Sequence, residues 1–183
     1  MTEAIRLTLV SHAMTDAMAA GRFPGDEPLN DIGRRQVKMA GRLDIQSDAR
    51  QLAGPEQRAR QTAQLLGLHA ATEPRLADLH CGGWCGNTPR AVGPADLETW
   101  LTDPSRAPHG GESIVDLIQR VAGWLESLTG DTSPAVAVTH PAVIRGAILQ
   151  ALDSPPKSFW RIDIAPVSRT VLHFRNGRWT LRL

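Results

Sequence analysis

The chain has 183 residues and no proline- or serine-rich linker, so residues 1–183 are expected to form a single domain with a substantial core. Its 20 basic and 19 acidic side chains are interspersed and leave a formal charge of +1, which argues against nucleic acid or a membrane surface as the main partner and suits a small polar ligand. No apolar run approaches membrane-spanning length, and the N-terminus, with Glu3 and a strand-like pattern, lacks the basic start and apolar helix of a secretory signal; a cytoplasmic location is expected.

The apolar run from Ile5 to Val10 stops at Ser11-His12 and reads as a buried strand that delivers His12 to its carboxyl end, where open α/β sheets bind ligands. A histidine there can be a nucleophile, a proton carrier or a metal ligand, and taken alone it is more readily a structural residue bonded to a nearby carbonyl. Asp16 to Pro28 reads as a glycine-rich loop carrying Arg22 and a Phe23-Pro24-Gly25 turn. Helical periodicity resumes at Leu29 and groups Ile32, Gln36, Met39, Ala40 and Leu43 on a covering face. A second strand is expected over 49–53, ending at Gly54-Pro55. Pro55 then opens a helix running from Glu56 to Leu66, which Gly67 closes. Arg58 falls in the first turn of that helix, where a cation opposes the dipole; its presence there points to an anionic ligand. Arg60 faces elsewhere and reads as a surface residue.

A short strand over 70–73 precedes Asp78 and a glycine-dense stretch to Gly86. His80, Cys81 and Cys85 in that stretch are three neighbouring donors without a distant fourth, neither a redox pair nor a complete zinc set, and no metal is assigned to them. A helix over 95–101 and a turn over 108–113 lead to an amphipathic helix with Ile114, Leu117, Ile118, Val121, Trp124, Leu125 and Leu128 as its apolar stripe. The run from Pro134 to His140 repeats the opening theme, an apolar strand ending in hydroxyl-histidine, and Pro141 starts a helix over 142–152. Three strands are expected in the tail, over 159–164, 170–174 and 179–183, the last two joined by a type I′ turn at Asn176-Gly177. The five tryptophans are scattered and read as core or cover residues.

Two strand-end histidines, an arginine at a helix start and an aspartate beside a glycine-rich turn together make a phosphoryl-transfer set: a nucleophile, charge stabilisers and a proton donor. In this set the chain resembles the histidine phosphatase superfamily, the phosphoglycerate mutase-like proteins, over nearly its whole length. Leu9-Val10-Ser11-His12-Ala13-Met14-Thr15 is similar to the family's opening Leu-Val-Arg-His-Gly-Glu-Thr. Asp26-Glu27-Pro28-Leu29 with Gly33, Pro55 to Ala63, Asp78 to Gly86, Gly111-Glu112-Ser113 and Val138 to Arg145 follow in the family's order.

Strands alternating with helices imply a three-layer α/β/α sandwich with a mostly parallel central sheet and an antiparallel edge from the C-terminal hairpin, and the resemblance implies the same phosphoglycerate mutase-like fold. It implies a phosphomonoester hydrolase that needs no cofactor and no metal. His12 would attack phosphorus and become a phosphohistidine, Arg58 and a protonated His140 would hold the transferring oxygens, and Asp78, where the family usually has glutamate, would protonate the leaving alkoxide and then activate water. That role needs Asp78 to start protonated, with a raised pKa. The chief departure is Ser11, where the family has a phosphate-clamping arginine; loss of a transition-state donor of this kind costs ~10²–10³ in rate. Arg22 is the candidate to supply the missing charge, and Ser11 itself offers one neutral donor to the phosphate. Ala13 and Met14 make the pocket entrance more apolar than in the family. The competing reading is an impaired member serving as a phosphate-ligand binding or regulatory module. The short chain favours a hydrolase over a mutase; neither the physiological phosphomonoester nor the oligomeric state is written in the sequence.

Overall fold

The computed structural model describes residues 4–183, so Glu3 lies outside it. Alternation along two strands organises the molecule. Ile5–Ser11 (β1) sends Leu7 and Leu9 to one face and Val10 to the other, and Ala135–Thr139 (β4) divides Ala135 and Ala137 from Val136 and Val138 in the same way. Strands buried on both faces must be covered on both, and two separate apolar clusters do this.

The first cluster packs Ile114–Leu128 (α5) and Pro141–Ala151 (α6) on one side of the sheet. The apolar stripe read for α5 is its buried face, with Ile114, Leu117, Val121, Trp124, Leu125 and Leu128 all inside. The second cluster packs Asp31–Ala40 (α2) and Gln57–Leu65 (α3) on the other side. A four-residue helix, Asp16–Ala19 (α1), capped by the Thr15 hydroxyl, interrupts the segment read as loop, and Pro94–Thr102 (α4) lies later in the chain.

The strands run in the order β3-β2-β4-β1-β5-β6, where β2 is Arg50–Ala53, β3 Ala71–Thr72, β5 Arg169–Arg175 and β6 Arg178–Arg182. β3, β2, β4 and β1 are mutually parallel; β5 is antiparallel to β1, and β6 to β5. This is the α/β sandwich with an antiparallel edge that the sequence led us to expect. At the hairpin, Asn176 and Gly177 both have positive φ, 53° and 75°, as a type I′ turn requires.

Three further details differ from the sequence reading. The covering face of α2 is not the one with the large apolar residues: Met39 is 88% exposed and Ile32 exposed, while Gly33 and Val37 are buried. A Cβ at Gly33 would collide with the backbone of Met14, so the helix docks through its smallest residue. Residues 159–164 form no strand; Pro156–Arg161 is a 3-10 helix, started by Pro155-Pro156, which turns Phe159 inward and leaves Trp160 at the surface. Helix α3 begins at Gln57, with Glu56 in the cap position but making no capping bond, because its carboxylate is engaged elsewhere.

Candidate active site

β1 and β4 are neighbours in parallel register, Ser11 opposite Thr139, so the residues after each strand emerge side by side. His12 is tied to that edge by its own N–H, which donates to Thr139 O at 2.9 Å, and its ring centroid lies 5.1 Å from that of His140. β2 is the next strand beyond β4, and α3 after it carries Arg58 to the same end. The segment following β3 brings Asp78. The sequence-read residues His12, Arg58 and Asp78 line one cavity of about 260 Å³ at the carboxyl ends of the parallel strands, with Arg22 also on its wall. A wider groove runs past Arg6, Pro134 and Leu181, at the amino ends of β1 and β4, away from this constellation.

The His12 ring is buried, and its Nδ1 lies 2.8 Å from Ala13 O. A carbonyl only accepts, so Nδ1 carries the proton and Nε2 the free lone pair. Burial, reinforced by His140 and Arg58, pushes the imidazole pKa down to about 3, leaving it neutral across the working pH range. The loop after His12 is pinned from two helices: Ala13 N donates to Thr62 Oγ1 at 3.1 Å and Met14 N to Gln36 Oε1 at 3.0 Å.

Arg58 is 1% exposed. Its Nη1 donates to Gly25 O at 2.5 Å and its Nη2 to Asp78 Oδ2 at 2.6 Å, while Nε has no partner among the described residues. His140 Nδ1, also without a hydrogen-bond partner, is 3.5 Å from Asp78 Oδ2. Burial pushes the Asp78 carboxyl up, but His140 and Arg58 beside it more than offset this and hold it below the usual carboxylate range. The raised value needed for a proton donor is therefore not what these neighbours give Asp78.

Sequence reasoning missed the residues behind these. Glu56 Oε2 sits 2.7 Å from His140 Nε2, and Glu56 Oε1 accepts from Asp78 N at 2.9 Å, so one carboxylate orients both groups. Its own pKa is lowered, the cost of burial being overcome by His140. Glu56 stood within a matched motif, but it read as a helix start; the missing signal was that α3 has a capping residue that does not cap. Glu112 forms a two-point ion pair with Arg120, both contacts 2.8 Å. Arg120 in turn donates to the carbonyls of Arg75 and Ala77, which fixes the segment leading to Asp78.

Ser11 is fully buried, is not among the residues lining the cavity, and its hydroxyl has no partner among the described residues. Arg22 is exposed at the rim. Cys81 lines the cavity, but burial pushes its thiol up to about 12, so it is no competitor for the nucleophile's role; Cys85 is exposed, and both are free thiols. Among the described residues, no three His, Cys, Asp or Glu side chains are grouped to hold a metal ion, and no helix is long and apolar enough to cross a membrane.

Residues 7–183 match the model of the histidine phosphatase superfamily (branch 1). The chain belongs to that superfamily. Among curated relatives of this histidine phosphatase, glucosyl-3-phosphoglycerate phosphatase of Mycolicibacterium vanbaalenii is 31% identical over 86% of this chain and 78% of its own. Phosphoserine phosphatase 1 of Hydrogenobacter thermophilus is 27% identical over 95% and 89%. A solved mycobacterial glucosyl-3-phosphoglycerate phosphatase in complex with VO3 superposes with a TM-score of 0.82, at 26% identity, covering 98% of each chain. The family assignment makes the chain an enzyme with phosphatase activity.

Proposed function

We propose that this histidine phosphatase hydrolyses small phosphomonoesters through a phosphohistidine on His12. The observation that carries the reading is the convergence on one cavity of a neutral imidazole with a free Nε2, a buried arginine with an unbonded Nε–H and a carboxyl group, with the His140 ring 5.1 Å from that of His12. A site built only to bind phosphate would need neither the nucleophile nor the acid, which weighs against the binding-module reading even with Ser11 in place of arginine.

His12 Nε2 bonds to phosphorus as the bond from phosphorus to the ester oxygen breaks, and Asp78 gives its proton to the departing alkoxide. Water then attacks the phosphohistidine, Asp78 takes a proton from it, and phosphate leaves as the nitrogen–phosphorus bond breaks. Arg58 and His140 carry the equatorial oxygens. Asp78 accepts from Arg58 Nη2; an incoming phosphoryl group competes for that donor, and the loss of the cation together with the nearby anion raises the Asp78 pKa into the donor range. Arg22, at the rim, supplies part of the charge absent at Ser11; the Ser11 hydroxyl, which the sequence led us to expect as a phosphate donor, is buried away from the cavity lining and is not among the donors.

Because Asp78 is ionised in the free enzyme at pH 5 to 7, the proton for the leaving group arrives with the substrate as a phosphate monoanion. Phosphate monoesters lose that proton near pH ~6. The expected kcat/KM is therefore flat on the acid side, where His12 stays neutral down to about 3, and falls about tenfold per unit above ~6. The test is turnover of p-nitrophenyl phosphate and alkyl phosphates with chelator present, wild type beside His12→Ala. Turnover that survives chelator and disappears in the variant supports the proposal, and turnover retained by His12→Ala overturns it.

A further inference from the structure

The phosphoryl chemistry does not account for the apolar wall of the cavity. That wall is built from Met18, Phe23, Leu79, Trp100, Phe159 and Trp160. Trp160 stands out among them because its ring is held in place and yet 40% exposed. Trp100 and Phe159 meet it edge to face, with centroids at 5.9 Å and 4.9 Å. The Arg145 guanidinium lies 5.7 Å from its centroid and 5.5 Å from that of Phe159, and Arg145 is itself anchored by Nε donating to Ile162 O at 2.7 Å. Trp100 continues the packing inward to His109 at 4.4 Å and Trp84 at 6.2 Å. An aromatic ring fixed on several sides, with one surface left open towards a catalytic cavity, is pre-organised for a flat ligand and loses little conformational freedom on binding.

Polar recognition of an alcohol rich in hydroxyls or carboxylates needs several free hydrogen-bonding side chains, and this wall supplies few. Glu27 is already bonded to Thr15 Oγ1 and Gly25 N. Arg145 has no carboxylate within ion-pair distance among the described residues and presents its charge against the rings. A cavity of ~150 Å³ is enough to hold benzene, so the roughly 260 Å³ here has room for one ring beside a phosphoryl group.

We propose that Trp160, backed by Trp100, Phe159 and Arg145, is the platform on which the leaving alcohol stacks, and that the substrates are phosphomonoesters whose alcohol carries a planar aromatic ring. This rests on the phosphatase reading above. The test compares 2-phenylethyl phosphate with 2-cyclohexylethyl phosphate, whose leaving alcohols are of similar basicity and bulk but differ in flatness. The expected kcat/KM is about fivefold to tenfold higher for the phenyl ester. That ratio collapses towards one in Trp160→Ala through KM, and most of it is retained in Trp160→Phe. Equal kcat/KM for the two esters in wild type, or an unchanged ratio in Trp160→Ala, overturns the proposal. Calorimetry with 3-phenylpropylphosphonate and 3-cyclohexylpropylphosphonate separates it from the catalytic reading. Tighter binding of the phenyl compound without turnover of either ester supports the platform and refutes the phosphatase mechanism, whereas turnover with equal phosphonate affinities does the reverse.

Discussion

The two ends of the cavity are built on different principles. At the phosphoryl end, His12 and His140 sit one residue past adjacent parallel strands, Arg58 lies in the first turn of α3, and short hydrogen bonds cross-link the set. At the other end, Trp160 stands on a six-residue 3-10 helix and meets Trp100 and Phe159 through ring contacts of 5 to 6 Å, and Phe23 and Leu79 lie on irregular segments. Bonded geometry on strand ends fixes where phosphorus must sit, and loose ring packing on short turns leaves the choice of alcohol open to change. Damage to the first end should cost rate on every ester, and damage to the second should change which ester is preferred.

The largest expected effect is at the nucleophile: His12→Ala lowers turnover by ~10⁴ or more on every substrate, read as steady-state kcat. Next is Arg58→Ala, which removes a charged donor and frees Asp78, at a cost of ~10²–10³ in kcat/KM. Asp78→Asn should lower kcat/KM for alkyl phosphates by a similar ~10²–10³, but kcat/KM for p-nitrophenyl phosphate by less than about tenfold, because that alcohol leaves without a proton and kcat/KM does not include the later attack by water, which the variant slows for every ester. An equal loss on both would show that Asp78 is not the acid. Glu56→Gln loosens His140 while keeping an acceptor for Asp78 N, and a loss of about tenfold in kcat is expected. Arg22→Ala, at the exposed rim, should raise the inhibition constant of inorganic phosphate by only a few-fold, and no change would show that Arg22 does not compensate for Ser11.

The buried imidazole also sets a stability signature. The folded pKa of His12 is about 3 against an ordinary value of 6.5, so below pH ~6.5 the unfolded chain binds the proton more readily. Stability is lost as pH falls, by up to ~1.4 kcal/mol per unit from this residue, and is fully present above 6.5. Urea unfolding of His12→Asn between pH 6.5 and 4.5 should show a shallower slope than wild type.

The difference between the two ends also explains what was legible in the sequence. Strands β1 and β4 announce themselves because a strand buried on both faces must be a short apolar run, and each stops at a histidine. Arg58 was readable from its place after Gly54-Pro55. Glu56 was not, since its task depends on His140, 84 positions away, and no local pattern encodes that pairing. Phe159-Trp160-Arg161-Ile162 reads as a strand by residue type, but the preceding prolines and the packing of Phe159 under Arg145 decide otherwise. Helical spacing alone misplaces the α2 face, because it groups Ile32 with Met39 and carries no sign of the close approach to Met14 that selects Gly33. Tryptophans spread along the chain gave no hint that Trp84, Trp100 and Trp160 pack as a row of rings leading to the cavity.

The central claim is that phosphorus passes through His12. The direct measurement is rapid quench of the enzyme into base during turnover, followed by peptide mass spectrometry, with Asp78→Asn used to slow release to water. The account requires one phosphoryl group on the peptide that contains His12, appearing within the first turnover and chased by unlabelled substrate. Turnover with no phosphorylated peptide in either protein, or with the phosphoryl group on a different residue, would contradict it.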